Sequence, residues 1–177
     1  MKSHMCINAF TQCCVGPQSS EQWKNPDDRS SRGYCDVDFW TDIARTLERG
    51  CFDSLFFADV HGVYDVYGSS HRPGIRHAIQ VPGNDPTVLF PLLAAETDHL
   101  GFVAAYSTTY FQPYLTAKLF SSLDHFTRGC VGWNIVTSYL PSAERNGLGQ
   151  MLGHDERYDM ADEYMEVVYK LWESSWD

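Results

Sequence analysis

The sequence has few basic residues and lacks the common glycine motifs that bind nucleotides. Lysine and arginine total 13 against 23 aspartates and glutamates, which gives a formal net charge of −10. A chain this acidic repels nucleic acid and anionic membrane surfaces, so neither is expected as its main partner. It also contains no GxGxxG and no GxxxxGK[ST] motif, which argues against a Rossmann dinucleotide site and against a P-loop.

Two further absences concern cysteine spacing and long apolar segments. The six cysteines include no CxxC pair and match no zinc-ligand pattern. No stretch approaches 18 consecutive apolar residues, and no secretory segment follows Met1. We therefore expect a cytoplasmic protein with reduced thiols and without a membrane span.

What the sequence does contain is a repeated strand-then-helix rhythm. Apolar runs predict strands, and amphipathic stripes of period 3.6 predict the helices that follow them. The predicted strands are 5–9, 54–58, 101–106 and 131–136, and the predicted helices are 36–49, one opening at Asp85-Pro86, one opening at Pro113, and 158–173. Such alternation indicates a parallel sheet with right-handed crossovers.

Four such units make half of an eight-fold barrel. A complete parallel β/α barrel typically needs about 250 residues, whereas this chain has 177. The predicted fold is therefore α/β, the N-terminal half of a (β/α)8 TIM barrel, with four parallel strands and four helices in one domain over 1–177. Since no further unit follows Trp176-Asp177, we expect a chain truncated on its C-terminal side.

The candidate chemistry lies where the strands end, because parallel β/α folds bind ligands there. Asp59 directly follows a buried strand, where it either caps a turn or contacts a ligand. With His61 it could begin a metal site, but such a site needs three or four ligands. The amide of Asn134, inside an apolar strand, is satisfied either by the sheet's loops or by a polar ligand. Cys14 is either a nucleophile or a small apolar loop residue.

Aromatic residues and the start of the last helix add to these candidates. Tyr64, Tyr67 and Tyr110 either line a pocket or pack a loop on the core. His154 and Tyr158 lie one turn apart, so they share a face and could hold a phosphate or a ring edge beside free backbone amides. Alternatively, this segment is purely structural, because the acidic residues Asp155 and Glu156 stabilise the dipole at a helix start.

A series of short motifs recurs in order along nearly the whole chain. Together they resemble the N-terminal half of the flavin-dependent monooxygenases of the bacterial-luciferase superfamily, in the branch that includes nitrilotriacetate, dibenzothiophene-sulfone and long-chain alkane monooxygenases. The motifs are Ile7-Asn8-Ala9-Phe10, Cys14-Val15-Gly16, Ala58-Asp59-Val60, Val63-Tyr64-Asp65-Val66-Tyr67, Asn84-Asp85-Pro86, Ser107-Thr108-Thr109-Tyr110, Gly132-Trp133-Asn134-Ile135-Val136-Thr137-Ser138 and His154-Asp155-Glu156-Arg157-Tyr158-Asp159.

The resemblance implies a two-component enzyme that uses reduced FMN and O2 to oxygenate a small organic substrate. A separate NAD(P)H-dependent flavin reductase would supply the reduced FMN. Alkanes, aminopolycarboxylates and organosulfur compounds are the candidate substrates. By position, the resemblance assigns flavin contacts to Asp59, Thr108, Asn134, Tyr139, His154 and Tyr158. It assigns the pocket near the substrate to Cys14, Tyr64 and Gln80.

The expected truncation would reduce or abolish this activity. The family's phosphate-gripping serine loop and half of its pocket wall would lie beyond the chain, so we expect an inactive or impaired enzyme. A first alternative is a non-catalytic remnant that folds only as a homo-oligomer, since two half-barrels could pair. A weaker alternative is a metal-dependent barrel hydrolase built on Asp59 and His61.

Overall fold

Four parallel strands form one sheet, in the order in which they occur along the chain. The computed structural model describes residues 5–16, 25–147 and 149–174. The strands are β1 Asn8–Thr11, β2 Ser54–Phe57, β3 Gly101–Ser107 and β4 Val131–Val136. Asn8 pairs with Ser54, and Ser54 with Gly101. All four strands therefore have their carboxyl ends at the same end of the sheet.

Helices follow each strand, and the described residues contain two more in the loops. The α-helices are α1 Ser30–Gly33, α2 Val37–Arg49, α3 Arg72–Arg76, α4 Phe90–Ala94, α5 Pro113–Thr127 and α6 His154–Glu173. Three 3-10 helices cover Tyr67–Ser69, Pro86–Leu89 and Pro141–Asn146. The predicted α/β class and the four strand–helix units are confirmed. The predicted count of four helices is too low, because α1 and α3 are short helices within the long loops.

Local capping explains where the longer helices begin. The Asp36 carboxylate accepts a hydrogen bond from the Asp38 amide at 3.0 Å and starts α2, as predicted. The last helix begins one turn earlier than predicted, at His154. Its start is fixed by Glu156, whose carboxylate accepts from the Gly153 amide at 3.0 Å.

The core lies between the sheet and its helices and is rich in aromatic rings. Trp40 of α2 packs on Phe57 of β2 at 5.1 Å between ring centroids. Phe57 in turn contacts Phe90, and Phe90 contacts Phe102, at 5.8 and 5.7 Å. All four side chains are at most 2% exposed, so this row fixes the helix layer against the sheet.

The opposite face of the sheet, which would line the inside of a barrel, is more open and partly polar. Ser54 donates a hydrogen bond to the Asn8 side chain at 2.8 Å. One layer further on, Phe10 meets Phe56 edge-on at 5.6 Å, and Phe10 is 53% exposed. Among the described helices, none has the length and apolar character required to cross a bilayer.

Candidate functional site

Two adjoining cavities open at the carboxyl ends of the strands. The first, here called the loop cavity, measures about 620 Å³ and lies between the segments after β1 and β2 and residues 80–85. The second, the helix cavity, measures about 550 Å³ and extends from the inner sheet face to the start of α6. Both volumes fall in the range of small-molecule sites, about 300 to 1,000 Å³. The cavities share a wall made by residues 58–61 and Tyr110.

The shared wall carries an acid–base pair. Asp59 Oδ2 lies 3.6 Å from Nε2 of His61. The imidazole packs against the rings of Tyr110 and Phe111, at 5.0 and 5.2 Å between centroids. Tyr110 also donates its hydroxyl proton to the His61 carbonyl at 2.9 Å, and Asn146 donates its amide to the same oxygen at 3.2 Å. These contacts hold the pair between the two cavities.

The environment of Asp59 makes it a weaker acid than usual. Burial raises the pKa of the carboxyl, the positive charge available on His61 opposes that rise, and the nearby Asp85 carboxylate adds to it. Buried carboxyls with a specific charge partner in a cleft are characteristic of functional sites. Asp59 also accepts a backbone hydrogen bond from Val60, so its carboxyl both caps the turn and lines the two cavities.

A metal centre is not supported by the arrangement of these residues. Within residues 5–16, 25–147 and 149–174, no group of three or more His, Cys, Asp or Glu side chains is placed to hold an ion. Among the described residues, Asp59 and His61 therefore have no third side chain placed to complete an ion site.

The inner wall of the helix cavity is formed by β4 and the turn after it. Asn134 and Tyr139 both line this cavity and both are exposed. A side chain inside an apolar strand is expected to be buried, but Asn134 is exposed, because it lies on the face of β4 that lines the open helix cavity. The Tyr139 hydroxyl donates to the hydroxyl of Tyr64 at 3.4 Å. Tyr64 thus belongs to the helix cavity, beside the residues assigned to flavin contact.

The first turn of α6 supplies the basic side of the helix cavity. His154 and Tyr158 line it, with their rings 5.1 Å apart, and Arg157 lies between them in sequence. Arg157 donates from Nη1 to the Leu152 carbonyl at 2.8 Å. Its Nε is buried and has no hydrogen-bond partner among the described residues. A buried donor left in this state points to a ligand acceptor.

Thr108 differs from the other residues assigned to flavin contact. It is only 3% exposed, and it lines neither the loop cavity nor the helix cavity. Its hydroxyl points to the Val136 carbonyl at 3.5 Å, so it links the ends of β3 and β4. Its contact with flavin stays a prediction from position alone.

The loop cavity brings together Cys14 and Gln80, which are far apart in sequence. The segment after β1 pairs with residues 82–84: Val15 donates to the Pro82 carbonyl at 3.1 Å, and the Asn84 amide donates to the carbonyl of Cys13 at 2.8 Å. Cys14 and Gln80 therefore line the same cavity. The Oε1 atom of Gln80 is buried without a hydrogen-bond partner in the described part of the chain.

The Cys14 thiol is not set up as a nucleophile. Burial, and next the negative charge of Asp59, raise the pKa of Cys14 from 9.0 to about 11. The neutral thiol therefore predominates near neutral pH, whereas reactive cysteines have lowered pKa values. This favours the interpretation of Cys14 as a small apolar wall residue.

Sequence patterns do not identify Arg157 and Asp85 as residues of these walls, and they leave the place of Tyr110 open. Arg157 could have been suspected from its place between His154 and Tyr158 in the first turn of a helix. The sequence allows Tyr110 either a pocket or a packing role, and the structure makes it a wall residue of both cavities. The sequence predicts Asp85 only as the start of a helix. In agreement, its carboxylate accepts a hydrogen bond from the Thr87 amide at 2.9 Å. It also lines the loop cavity, which no local signal indicates.

Comparison with known proteins matches this architecture to one group of enzymes. The family model described as "Luciferase-like monooxygenase" matches residues 11–177. The dimethyl-sulfide monooxygenase of Hyphomicrobium sulfonivorans is 53% identical over 178 residues, covering 100% of this chain and 37% of the relative.

Two solved enzyme structures superpose on this chain. The crystal structure of a long-chain alkane monooxygenase superposes with a TM-score of 0.94 at 49% identity, covering 100% of this chain and 41% of that one. A riboflavin lyase solved with modified FMN and riboflavin superposes with a TM-score of 0.90 at 35% identity, covering 99% of this chain and 39% of that one. The chain thus spans about two fifths of the length of the proteins it matches.

Proposed function

Because the chain belongs to the luciferase-like monooxygenase family, we propose that it supplies the reduced-FMN site of a two-component monooxygenase. In this proposal the helix cavity takes the flavin and the adjoining loop cavity takes a small organic substrate. A separate NAD(P)H-dependent reductase delivers the reduced FMN, and O2 is the co-substrate. The observation that carries the proposal is the pair of cavities at the strand ends, joined through the wall of Asp59 and His61.

The residues of the helix cavity fit a flavin. Phe10 and Phe56 offer apolar surface from the inner sheet face, as a planar ring system requires. The Asn134 amide and the Asp59 carboxyl offer polar contacts to a ring edge. The buried, unpartnered Nε of Arg157 offers a positive donor to an anionic group such as a phosphate. His154 and Tyr158 lie on the same side of the cavity.

The flavin would carry the oxygen chemistry, and the chain's own side chains would bind and orient it. Arg157, at the start of α6, would neutralise the negative charge of the bound cofactor's phosphate. Tyr64 and Tyr139, joined through their hydroxyls, would limit access of water from the side of β4. His61 and Asp59 would hold or pass a proton between the two cavities, since both line each of them.

An anaerobic titration with reduced FMN tests this proposal. Binding is measured by flavin fluorescence. We expect it to be saturable in the unchanged protein and weaker in the double variant His154→Ala/Tyr158→Ala. The matched control is Tyr169→Ala, a change of an exposed tyrosine on the same helix that lines neither of the two cavities. Absence of saturable binding, or equal weakening in the control, would contradict the proposed site.

A further inference from the structure

The two cavities differ in the sign of the charge that they present. The helix cavity is lined by Arg157 and His154 as well as by Asp59. The loop cavity is lined by two carboxylates, Asp59 and Asp85, and no lysine or arginine of the described ranges lines it. Its remaining polar side chains are amides, thiols and one tyrosine, together with His61, which lines both cavities and so does not distinguish them. To the shared Asp59–His61 pair the helix cavity adds the cation of Arg157, whereas the loop cavity adds the carboxylate of Asp85.

The two carboxylates of the loop cavity are close enough to sense each other. Asp85 raises the pKa of Asp59, which is the effect of a like charge. Asp85 is held in place by two hydrogen bonds, from the amide and from the hydroxyl of Thr87, at 2.9 and 2.7 Å. A ligand anion would be a third negative charge beside this pair. Like charges brought together in a partly desolvated site are a strong means of rejecting a ligand.

Two buried polar atoms of the loop cavity also point to a ligand. Oε1 of Gln80 and Nε2 of His61 have no hydrogen-bond partner in the part of the chain that is described. Gln80 holds this position with a φ of 55°, in the left-handed region that non-glycine residues rarely adopt and that is common at ligand sites. Its Oε1 is an acceptor, so its complement is a donor or a positive edge of a ligand and not an anion.

We propose that the loop cavity selects small organic molecules that carry no negative charge and rejects their anionic analogues. The inference rests on the proposed function, because it assigns the substrate of the monooxygenase to this cavity. It narrows the candidate substrates: alkanes and uncharged organosulfur compounds fit the cavity, whereas aminopolycarboxylates do not. The discriminating groups are Asp59 and Asp85.

A pair of nearly isosteric probes tests the inference without flavin. Hexyl methyl sulfone and hexane-1-sulfonate differ by a methyl group in place of one sulfonate oxygen, and the sulfonate stays ionised at all pH values of interest. Binding to the purified protein is followed by NMR, through the side-chain amide signals of Gln80 and Asn84. We expect the sulfone to bind at least tenfold more tightly than the sulfonate.

A charge variant and its control identify the cause of that preference. Asp85→Asn removes one charge and keeps a side chain that caps a helix well, so the preference should shrink at least threefold. Asp162→Asn removes the same charge from an exposed site on α6 outside both cavities and should leave the preference unchanged. Even if Asp85→Asn fails to fold, the two probes on the unchanged protein decide the question.

The remaining outcomes overturn the inference. Equal or tighter binding of the sulfonate would refute charge selection. Failure of both probes to move the Gln80 and Asn84 signals would refute a ligand site in this cavity. Neither result depends on flavin binding. The proposed function can therefore fail in the reduced-FMN titration while the charge preference persists, and the reverse holds as well.

Discussion

Asp59 and His61 face each other across 3.6 Å in the wall between the two cavities. Both residues line both cavities, so the two cavities share the charges of this pair. The hydroxyl of Tyr110 donates to the carbonyl of His61 and anchors the backbone of this wall.

The first prediction concerns the effect of Asp59 on the neighbouring thiol. Its charge is the second cause, after burial, of the raised pKa of Cys14. Asp59→Asn should therefore lower the pKa of Cys14 from about 11, while burial still keeps it above its ordinary value. The pH profile of iodoacetamide labelling at Cys14, followed by peptide mass spectrometry, should shift to lower pH. An unchanged profile would contradict this coupling, and Asp162→Asn is the control for net charge.

The second prediction concerns which part of the flavin, the phosphate or the ring system, Arg157 contacts. Removing the charge-assisted hydrogen bond of Arg157 should cost about 1.5 to 3 kcal/mol of binding free energy. Arg157→Gln should therefore weaken reduced FMN roughly tenfold or more and leave reduced riboflavin, which has no phosphate, nearly unaffected. Anaerobic titrations with both flavins measure this. Equal losses for the two flavins would show that Arg157 does not contact the phosphate. Lys118→Gln, on the exposed surface of α5, is the control.

The third prediction tests the aromatic core under the site. Phe57 is fully buried between Trp40 and Phe90. Phe57→Ala should lower the free energy of unfolding by about 3 to 5 kcal/mol, because it leaves a cavity in a well-packed layer. Phe126→Ala makes the same change at a position that is 69% exposed and should cost less than about 1 kcal/mol. Urea unfolding compares the two, and similar losses would contradict the packing described here.

The fourth prediction concerns the acid stability of the fold. The Glu48 carboxylate accepts hydrogen bonds from the amides of residues 98, 99 and 100, at 2.8, 2.7 and 3.2 Å. Burial opposes ionisation, but these hydrogen bonds outweigh it and lower the pKa of Glu48. A carboxyl with a lowered native pKa stabilises the fold above its unfolded pKa, and this contribution disappears as the pH falls through the native pKa.

Glu48→Gln should therefore be less stable than the unchanged protein at pH 7, and the difference should shrink towards pH 3. Urea unfolding over this pH range gives the result. Glu163→Gln, an exposed change on α6, should follow the unchanged protein at every pH. A difference for Glu48→Gln that stays constant with pH would contradict the assigned role of its charge.

Local sequence patterns were sufficient for most of the fold. The apolar run 131–136 predicts β4 with its exact bounds, and Asp36 predicts the start of α2. The apolar run 5–9 predicts the first strand too early, because Met5 and Ile7 are apolar yet 78% and 46% exposed, and β1 is Asn8–Thr11. The short helices of the long loops were not predicted, since neither carries an apolar stripe of its own.

The site was less accessible to sequence patterns because its walls depend on contacts between distant segments. The loop cavity needs residues 13–15 to meet residues 82–84, and no local signal encodes that pairing. The resemblance to a known family assigns Cys14, Tyr64 and Gln80 to one substrate pocket; Cys14 and Gln80 line the loop cavity, whereas Tyr64 lines the helix cavity. It gave no indication that Arg157 and Asp85 contribute opposite charges to the two cavities, since that follows only from three-dimensional placement.

The most direct test of the central claim is to map reduced FMN onto the protein by NMR under anaerobic conditions. We predict that reduced FMN shifts the side-chain amide signal of Asn134 in the helix cavity and leaves the signal of Asn84 in the loop cavity nearly unchanged. A shift confined to Asn84, or no shift at either side chain at saturating flavin, would contradict the assignment of the helix cavity to the cofactor.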